Sequence, residues 1–228
     1  MDGGWIQVQG PLDLAFCNFL AGWNLTDETA AEGAERVAYV CSDRPGMSVF
    51  VCTGDSPANM GWHLIQAGFE LRHTLIEMAF VGTAPNVPGA LHLAQGKEER
   101  KRISDFMTRQ FFWRGSYEQR RCISDATSSS PHQLYYFGEA MAPTGAIMLV
   151  PTDNSLGIYN LCVQESLRGQ GIGSQVLSLA LMLADHMGVP AVLQCEQTLC
   201  GWYSKHGFRQ IGAVDAYRLP EPAWFPAI

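Results

Sequence analysis

Apolar residues recur at helical spacing in some stretches of the chain and form short continuous runs in others, which predicts a mixture of helices and strands. In the first hundred residues, Ser56 and Pro57 suit the N-cap and first position of a helix. A turn at residues 43–46 separates two short strands. The elements predicted in this part are helices at 11–23 and 57–66 and strands at 37–41, 48–52 and 70–81.

The second part of the chain, from Glu98 onward, predicts the order α-α-β-β-β-α-β-α-β. Residues 82–96 contain prolines and glycines at loop-like spacing and are the candidate linker before it. A polar break is predicted at 124–131. The predicted helices are 103–112, 116–123, 172–187 and 199–205, and the predicted strands are 134–137, 146–150, 156–163, 191–195 and 208–217.

A glycine-rich turn, Arg168-Gly169-Gln170-Gly171-Ile172-Gly173, lies between the last residues of a predicted strand and the long helix at 172–187. Glycines leave backbone N–H groups uncovered, and the helix directs its positive end to the same place. Together these features predict a binding site for a phosphate or diphosphate. The spacing fits neither a P-loop nor a dinucleotide fingerprint. The alternative is a plain tight turn that leads into a helix.

A second segment, Tyr203-Ser204-Lys205-His206-Gly207-Phe208, follows about thirty residues later. The glycine turn fits the pattern Gln/Arg-x-x-Gly-x-Gly/Ala and the second segment fits Tyr-x-x-x-Gly-Phe. In this order and spacing they resemble the GCN5-related N-acetyltransferase (GNAT) superfamily, over roughly residues 103–219. The resemblance implies an α/β fold with a mixed central sheet flanked by helices, and acetyl-CoA as co-substrate. The cofactor-binding residues it implies are Leu161, Cys162, Val163, Arg168, Gly169, Gln170, Gly171, Ile172, Gly173 and Ser174.

The resemblance also implies catalytic roles. Tyr203 occupies the position of the general acid that protonates the departing thiolate, although a core tyrosine would show the same helical pattern. Many relatives carry a glutamate base on the strand before the glycine turn, where this chain has Asn160. Glu139 and Glu196 are therefore the candidate bases, and each is equally compatible with a surface or packing carboxylate. The first helices and the aromatic residues Phe111, Phe112, Trp113, Tyr117 and Trp202 are available for the acceptor site.

The segment at 62–69 repeats the helix, Gly-Phe and strand pattern of 202–208. We interpret this echo as a tandem arrangement, with a degenerate GNAT-like module without a cofactor site at 1–96 and the acetyltransferase domain at 97–228. The alternative is coincidence, because a helix that ends in Gly-Phe before a strand is common.

Composition narrows the function classes further. The net charge is −7 over 228 residues, and the sequence has no basic stripe of the kind that binds nucleic acid, so nucleic-acid binding is not expected. No apolar run approaches a membrane span, and the first residues do not form a secretory signal, so a cytoplasmic location is expected. Seven cysteines without a Cys-x-x-Cys pair, and six histidines without ligand spacing, predict small buried side chains in a reducing compartment and no metal site. The function expected is transfer of an acetyl group to a primary amine of a small molecule or peptide by a monomer or homodimer. The alternatives are an acyl-CoA sensor without turnover and an acyltransferase with a longer donor.

Overall fold

A computed structural model of the chain describes residues 4–10, 17–44 and 46–220. These residues divide into two units, of which the first runs up to Glu77 and resumes at Gly212, and the second is Met78–Ile211. The boundary expected at 96/97 from the sequence therefore differs from the division in the structure. The interpretation of the first part as a degenerate module stays a prediction.

The first unit contains a small sheet with two helices. In this unit the strands lie in the order β1-β2-β3-β10-β4, with β2 parallel to β3 and with β1–β2 and β3–β10 antiparallel. Its core includes Leu20, Val37, Val49, Leu64 and Tyr217, all buried. The elements are β1 (Ile6–Gln9), β2 (Asn18–Ala21), α1 (Asp27–Ser42), β3 (Ser48–Cys52), α2 (Met60–Gln66), the first part of β4 (Glu70–Phe80) and the last part of β10 (Phe208–Arg218).

Three predictions for this unit were wrong. Residues 37–41, predicted as a strand, lie in α1, because Ala30, Ala34, Val37 and Cys41 form one buried face at helical spacing. The helix predicted at 11–23 is a strand at Asn18–Ala21, and its residues 11–16 lie outside the described residues.

The helix predicted from Pro57 begins instead at Met60, with Asn59 as its N-cap. Ser56 donates its backbone N–H to Trp23 O (3.1 Å) and accepts from Leu25 N–H (3.0 Å). These bonds hold Ser56 beside another segment of the chain, so the helix starts later.

The second unit contains a mixed sheet flanked by helices, as the sequence predicted. In this unit the strands lie in the order β4-β9-β8-β7-β6-β5; β5 to β8 are antiparallel neighbours, and β8 and β9 are parallel. The elements are β5 (His92–Leu93), α3 (Gly96–Phe111), α4 (Tyr117–Ser129), β6 (Gln133–Glu139), β7 (Ala142–Pro151), β8 (Leu156–Val163), α5 (Ile172–Met187), β9 (Ala191–Glu196) and α6 (Gln197–Lys205), with the end of β4 and the start of β10.

The bounds of β8 and α5 are those predicted, whereas α4 continues to Ser129, into the polar break expected at 124–131. Arg100 on α3 explains the difference. Its guanidinium donates to the carbonyl oxygens of Ser128, Ser130 and His132 at 2.8, 2.6 and 3.1 Å. Carbonyls at a helix C-terminus lack helical partners, and Arg100 satisfies carbonyls at this end.

Candidate active site

The glycine-rich turn connects the end of β8 to the start of α5. A single 3₁₀ turn at Glu165–Leu167 precedes it, and Gly169 and Gly171 then take φ angles of +78° and +83°. A Cβ built on either glycine meets no atom within 4 Å, so open space faces both. Residues with side chains rarely adopt this left-handed conformation, which explains the two glycines.

Six consecutive backbone N–H groups, those of residues 169–174, form what we call the amide cradle. The N–H of Arg168 still donates to Glu165 O (3.2 Å), and the N–H of Gln175 donates to Gly171 O (3.0 Å). Between them, within the part of the chain that the structure describes, no acceptor lies in hydrogen-bond range of these six groups. The positive end of α5 adds to them, so the cradle suits an anion with several oxygens, such as a diphosphate.

Arg168 lies at the edge of the cradle and is held there by two contacts. Its Nε donates to Val163 O (3.3 Å), and its Nη2 donates to Gln110 Oε1 (3.0 Å) near the end of α3. The exposed guanidinium thereby keeps a fixed position beside the amides. Nothing in the sequence pattern singled out Gln110, since a polar residue near the end of a helix is common.

The strand that leads to the cradle separates from its neighbour. The parallel ladder between β8 and β9 ends at the pair Ile158–Leu193. On the other side, β8 bulges against β7 between Tyr159 and Cys162, and Asn160 in the bulge has a φ of +50°. Bulges re-aim the backbone near functional sites, and asparagine tolerates this conformation better than most residues.

Beyond the bulge, β8 presents backbone groups to the gap that β9 leaves. Gln164 N–H donates to Thr144 O on the β7 side at 2.9 Å. Because backbone polar groups alternate sides along a strand, Val163 and Leu161 direct their N–H and C=O groups away from β7, and Cys162 directs its own toward β7.

The Cys162 thiol is buried, and burial raises its pKa to about 12.

Tyr203 lies on α6 and is 8% exposed. Its ring packs edge-on against Trp202 and Phe208, with centroid distances of 4.8 and 5.6 Å. Burial, and to a smaller degree the Cys195 thiol, raises the pKa of Tyr203 to about 12. The phenol therefore keeps its proton at neutral pH.

Trp202 places α6 beside the cradle. A Cβ built on Gly173 would lie 3.8 Å from the Trp202 ring and 3.6 Å from the Val163 side chain. The first turn of α5, the end of β8 and α6 therefore meet at one place. The sequence-predicted cofactor residues and the helix that carries Tyr203 are brought together.

The two candidate bases lie at exposed positions at the ends of β6 and β9. Glu139 is exposed at the end of β6, opposite Ala142 in the hairpin, and Glu196 is exposed where β9 meets α6. Within the described residues, no side-chain hydrogen bond or ion pair joins either carboxylate to Tyr203 or to the cradle. Their role as bases stays a prediction.

The turn between α3 and α4 exposes large apolar side chains. Phe111, Trp113 and Tyr117 are 46%, 65% and 73% exposed, and the Arg114 guanidinium stacks on the Trp113 ring at 4.5 Å. Gln110, which contacts Arg168, immediately precedes this turn. The turn therefore borders the edge of the cradle, and its role in an acceptor site stays a prediction.

Two further classes of site are absent from the described part of the chain. No group of three or more His, Cys, Asp or Glu side chains there could hold a metal ion. None of the helices described has both the length and the apolar character needed to cross a membrane.

Comparison with known proteins places the site in a family context. The family model described as an acetyltransferase (GNAT) domain matches residues 131–210. No curated protein matches the sequence.

Solved structures resemble the fold at low sequence identity. A GCN5-related N-acetyltransferase from Kribbella flavida has a TM-score of 0.71 at 15% identity, over 98% of this chain and 90% of that chain. A putative acetyltransferase of the GNAT family from Novosphingobium aromaticivorans has a TM-score of 0.57 at 13% identity, over 89% and 84%. A tandem GNAT protein from the clavulanic acid biosynthesis pathway has a TM-score of 0.56 at 10% identity, over 82% and 68%. Residues 131–210 therefore match the acetyltransferase (GNAT) domain model, and the chain has the fold of the GCN5-related N-acetyltransferases.

Proposed function

We propose that this chain transfers an acetyl group from acetyl-CoA directly to a primary amine of a small molecule or a peptide. One observation carries the proposal: the amide cradle at residues 169–174 lies beside the free edge of β8, within the segment that the GNAT model matches. An anion site next to an unpaired strand edge suits a ligand that has a diphosphate at one end and an amide-containing arm.

The residues present fit coenzyme A. The six N–H groups of the cradle would hold the diphosphate, and the open space at Gly169 and Gly171 admits its oxygens. Arg168 adds a fixed positive charge at the rim. The backbone groups of Leu161 and the N–H of Val163 would pair with the amide-containing arm, while the Val163 carbonyl accepts from Arg168. Acetyl-CoA supplies the acetyl group as an activated thioester.

Leu161 is the better placed of two candidates for polarising the thioester oxygen. The backbone N–H groups of Leu161 and Cys162 are the two candidates for this oxyanion-type role. Cys162 pairs with Ala146 on β7, whereas Leu161 directs its N–H to the opposite side. A donor fixed by the strand needs no reorganisation when negative charge develops on the oxygen.

Tyr203 acts as a hydrogen-bond donor to the leaving sulfur. With a pKa raised to about 12, its phenol holds its proton more tightly than an ordinary thiol does. Complete proton transfer to a thiolate would therefore be uphill, whereas hydrogen-bond donation stabilises the thiolate without it. The edge-on packing against Trp202 and Phe208 fixes the ring.

The acceptor amine loses its proton to water or to an exposed carboxylate. Asn160 occupies the place of the strand glutamate and cannot accept a proton at neutral pH. Glu139 and Glu196 are both exposed, so either would act through solvent. Turnover should therefore rise with pH toward the pKa of the acceptor amine itself. Glu139→Gln and Glu196→Gln should each cause at most a modest loss of turnover.

A panel assay of acetyl transfer tests the proposal. Release of the coenzyme A thiol is followed with aliphatic, aromatic and peptide amines, for the wild type and for Tyr203→Phe. Tyr39→Phe, on an exposed position of α1, is the matched control. We expect at least one amine to be acetylated, and Tyr203→Phe to lower turnover on the order of 100-fold with coenzyme A binding retained.

Other results would contradict the proposal in distinguishable ways. Stabilisation by acetyl-CoA without turnover of any amine would indicate an acyl-CoA sensor. Faster turnover with longer acyl donors would indicate an acyltransferase of different donor class. Unchanged turnover in Tyr203→Phe would remove Tyr203 from the reaction.

A further inference from the structure

Two thiols lie next to each other at the junction of β9 and α6. Cys195 Sγ and Cys200 Sγ are 3.8 Å apart, and both cysteines are free. Cys195 is 5% exposed, whereas Cys200 is partly exposed. The acetyl-transfer proposal uses neither thiol.

The surroundings of the pair contain sulfur and a carbonyl. Cys195 Sγ lies 3.6 Å from Met78 Sδ, and Cys200 Sγ lies 3.8 Å from Glu196 O. No ion pair or metal-binding group in the described residues includes either thiol. A bond between the two sulfurs requires them to approach by roughly 1.8 Å from their 3.8 Å separation. Side-chain rotation together with a small shift of α6 can supply a movement of this size.

We propose that Cys195 and Cys200 form a dithiol modification site, which a small-molecule disulfide converts to an intrachain disulfide. The Cys200 thiolate attacks one sulfur of the small disulfide, which forms a mixed disulfide and releases one thiolate. The Cys195 thiolate then attacks Cys200 Sγ, closes the intrachain bond and releases the second thiolate. The two cysteine thiols are oxidised, the small disulfide is reduced, and the two cysteine protons end on the two released thiols.

The different environments of the two thiols set the order of these steps. Burial, and to a smaller degree the neighbouring Cys200 thiol, raises the pKa of Cys195 well above its ordinary value, so little of it is thiolate at neutral pH. Cys200 is the more accessible sulfur and reacts first, and Cys195 resolves the mixed disulfide. Ring closure should therefore accelerate as the pH rises.

The new bond would change the position of α6 relative to β9. Cys200 precedes Tyr203 by three residues, so both lie on neighbouring positions of one face of α6. A tether at Cys200 shifts the helix turn that holds the Tyr203 ring. If the proposed function is correct, oxidation lowers acetyl transfer on the order of 10- to 100-fold, because small displacements of a positioned group are costly.

Mass spectrometry of tryptic peptides from the treated full-length protein tests the site directly. Tryptic cleavage after Arg168 and Lys205 yields the peptide 169–205, which contains Cys195 and Cys200 and none of the other five cysteines. The folded protein is treated with graded ratios of bis(2-hydroxyethyl) disulfide to 2-mercaptoethanol, alkylated and then digested without reduction. We expect peptide 169–205 to lose the mass of two hydrogen atoms and to take up no alkyl group. A reductant should restore two alkylation sites.

Matched variants make the result specific. Cys200→Ser should abolish the intrachain bond, whereas Cys122→Ser, at a partly buried cysteine on α4, should leave it unchanged. Peptide 169–205 that keeps two alkylatable thiols at every ratio, or that carries only separate 2-hydroxyethylthio (mixed-disulfide) adducts, would overturn the proposal. The mass readout does not depend on enzyme activity, so failure of the proposed function would not obscure it. Equal turnover by the oxidised and reduced protein would overturn the claim that the bond acts on Tyr203.

Discussion

Gly171 caps the N-terminus of α5 with a φ of +83°, and an alanine there must adopt a backbone conformation that disfavours it by roughly 1–2 kcal/mol. The added Cβ meets no atom within 4 Å, so the cost in Gly171→Ala is backbone strain rather than a clash. For a chain of this size, that cost corresponds to a fall in the unfolding midpoint of roughly 2–8 °C.

Gly188 provides a matched control at the other end of the same helix. It has a φ of +70°, and a Cβ built on it also meets nothing within 4 Å. Gly188→Ala should therefore lower the midpoint by a similar amount. The two variants share the strain and differ in whether the methyl group lies in the amide cradle.

The difference between the variants should appear only with the ligand. A ligand at one hundred times its Kd stabilises the folded chain by about 2.7 kcal/mol. A methyl group in the cradle should weaken coenzyme A binding at least tenfold, which removes about 1.4 kcal/mol of this stabilisation. Thermal unfolding with and without coenzyme A measures both effects. Full stabilisation of Gly171→Ala by coenzyme A, equal to that of Gly188→Ala, would refute the assignment of the cradle.

Three further predictions concern neighbouring groups. Burial raises the folded-state pKa of Tyr203 from its ordinary value of 10.0 to about 12, so its contribution to stability is full below pH 10 and is lost as the pH rises toward 12. Urea unfolding between pH 10 and 12 should therefore show a smaller loss of stability in Tyr203→Phe than in the wild type. An identical loss would contradict the burial argument. Arg168→Gln should weaken coenzyme A binding by roughly 3- to 10-fold and reduce the salt dependence of binding, measured by titration calorimetry at two ionic strengths. An unaltered salt dependence would exclude Arg168 as a charge partner. Asn160→Gly should leave stability nearly unchanged and Asn160→Ala should lower it by roughly 1 kcal/mol, because glycine adopts the φ of +50° seen at Asn160 more easily than alanine does. Equal stabilities of the two variants in urea unfolding would contradict the bulge geometry.

Local sequence signals were sufficient to predict an element where they agreed with its tertiary packing. The bounds of α5 were predictable because Gly171 and Gly188 lie immediately outside them and the apolar positions between follow helical spacing. The bounds of β8 were predictable from an apolar run, interrupted by Gly157 and Asn160, that ends where the polar turn begins. These two elements carry the cradle, so its position followed from the sequence.

Packing decided the elements that were misread. The run at 37–41 contains β-branched and aromatic residues, which favour a strand locally. Its buried residues nevertheless continue the face that Ala30 and Ala34 begin, and burial of that face in the core stabilises a helix. A short window could not show this, because the deciding residues lie further back in the chain.

The finer geometry of the site depends on contacts between distant segments. The contact of Arg168 with Gln110 joins residues 58 positions apart, and no spacing rule indicates it. The bulge at Asn160 depends on how β7 and β8 pair, and an asparagine inside an apolar strand is only a weak signal of it. Cys195 and Cys200 are only five residues apart, but their contact depends on how the chain turns from β9 into α6.

A crystal structure of the chain with coenzyme A tests the central claim most directly. The account predicts that the oxygens of the diphosphate accept hydrogen bonds of about 2.7–3.2 Å from backbone N–H groups of residues 169–174. A diphosphate bound elsewhere on the chain, with these six N–H groups left to solvent, would contradict it.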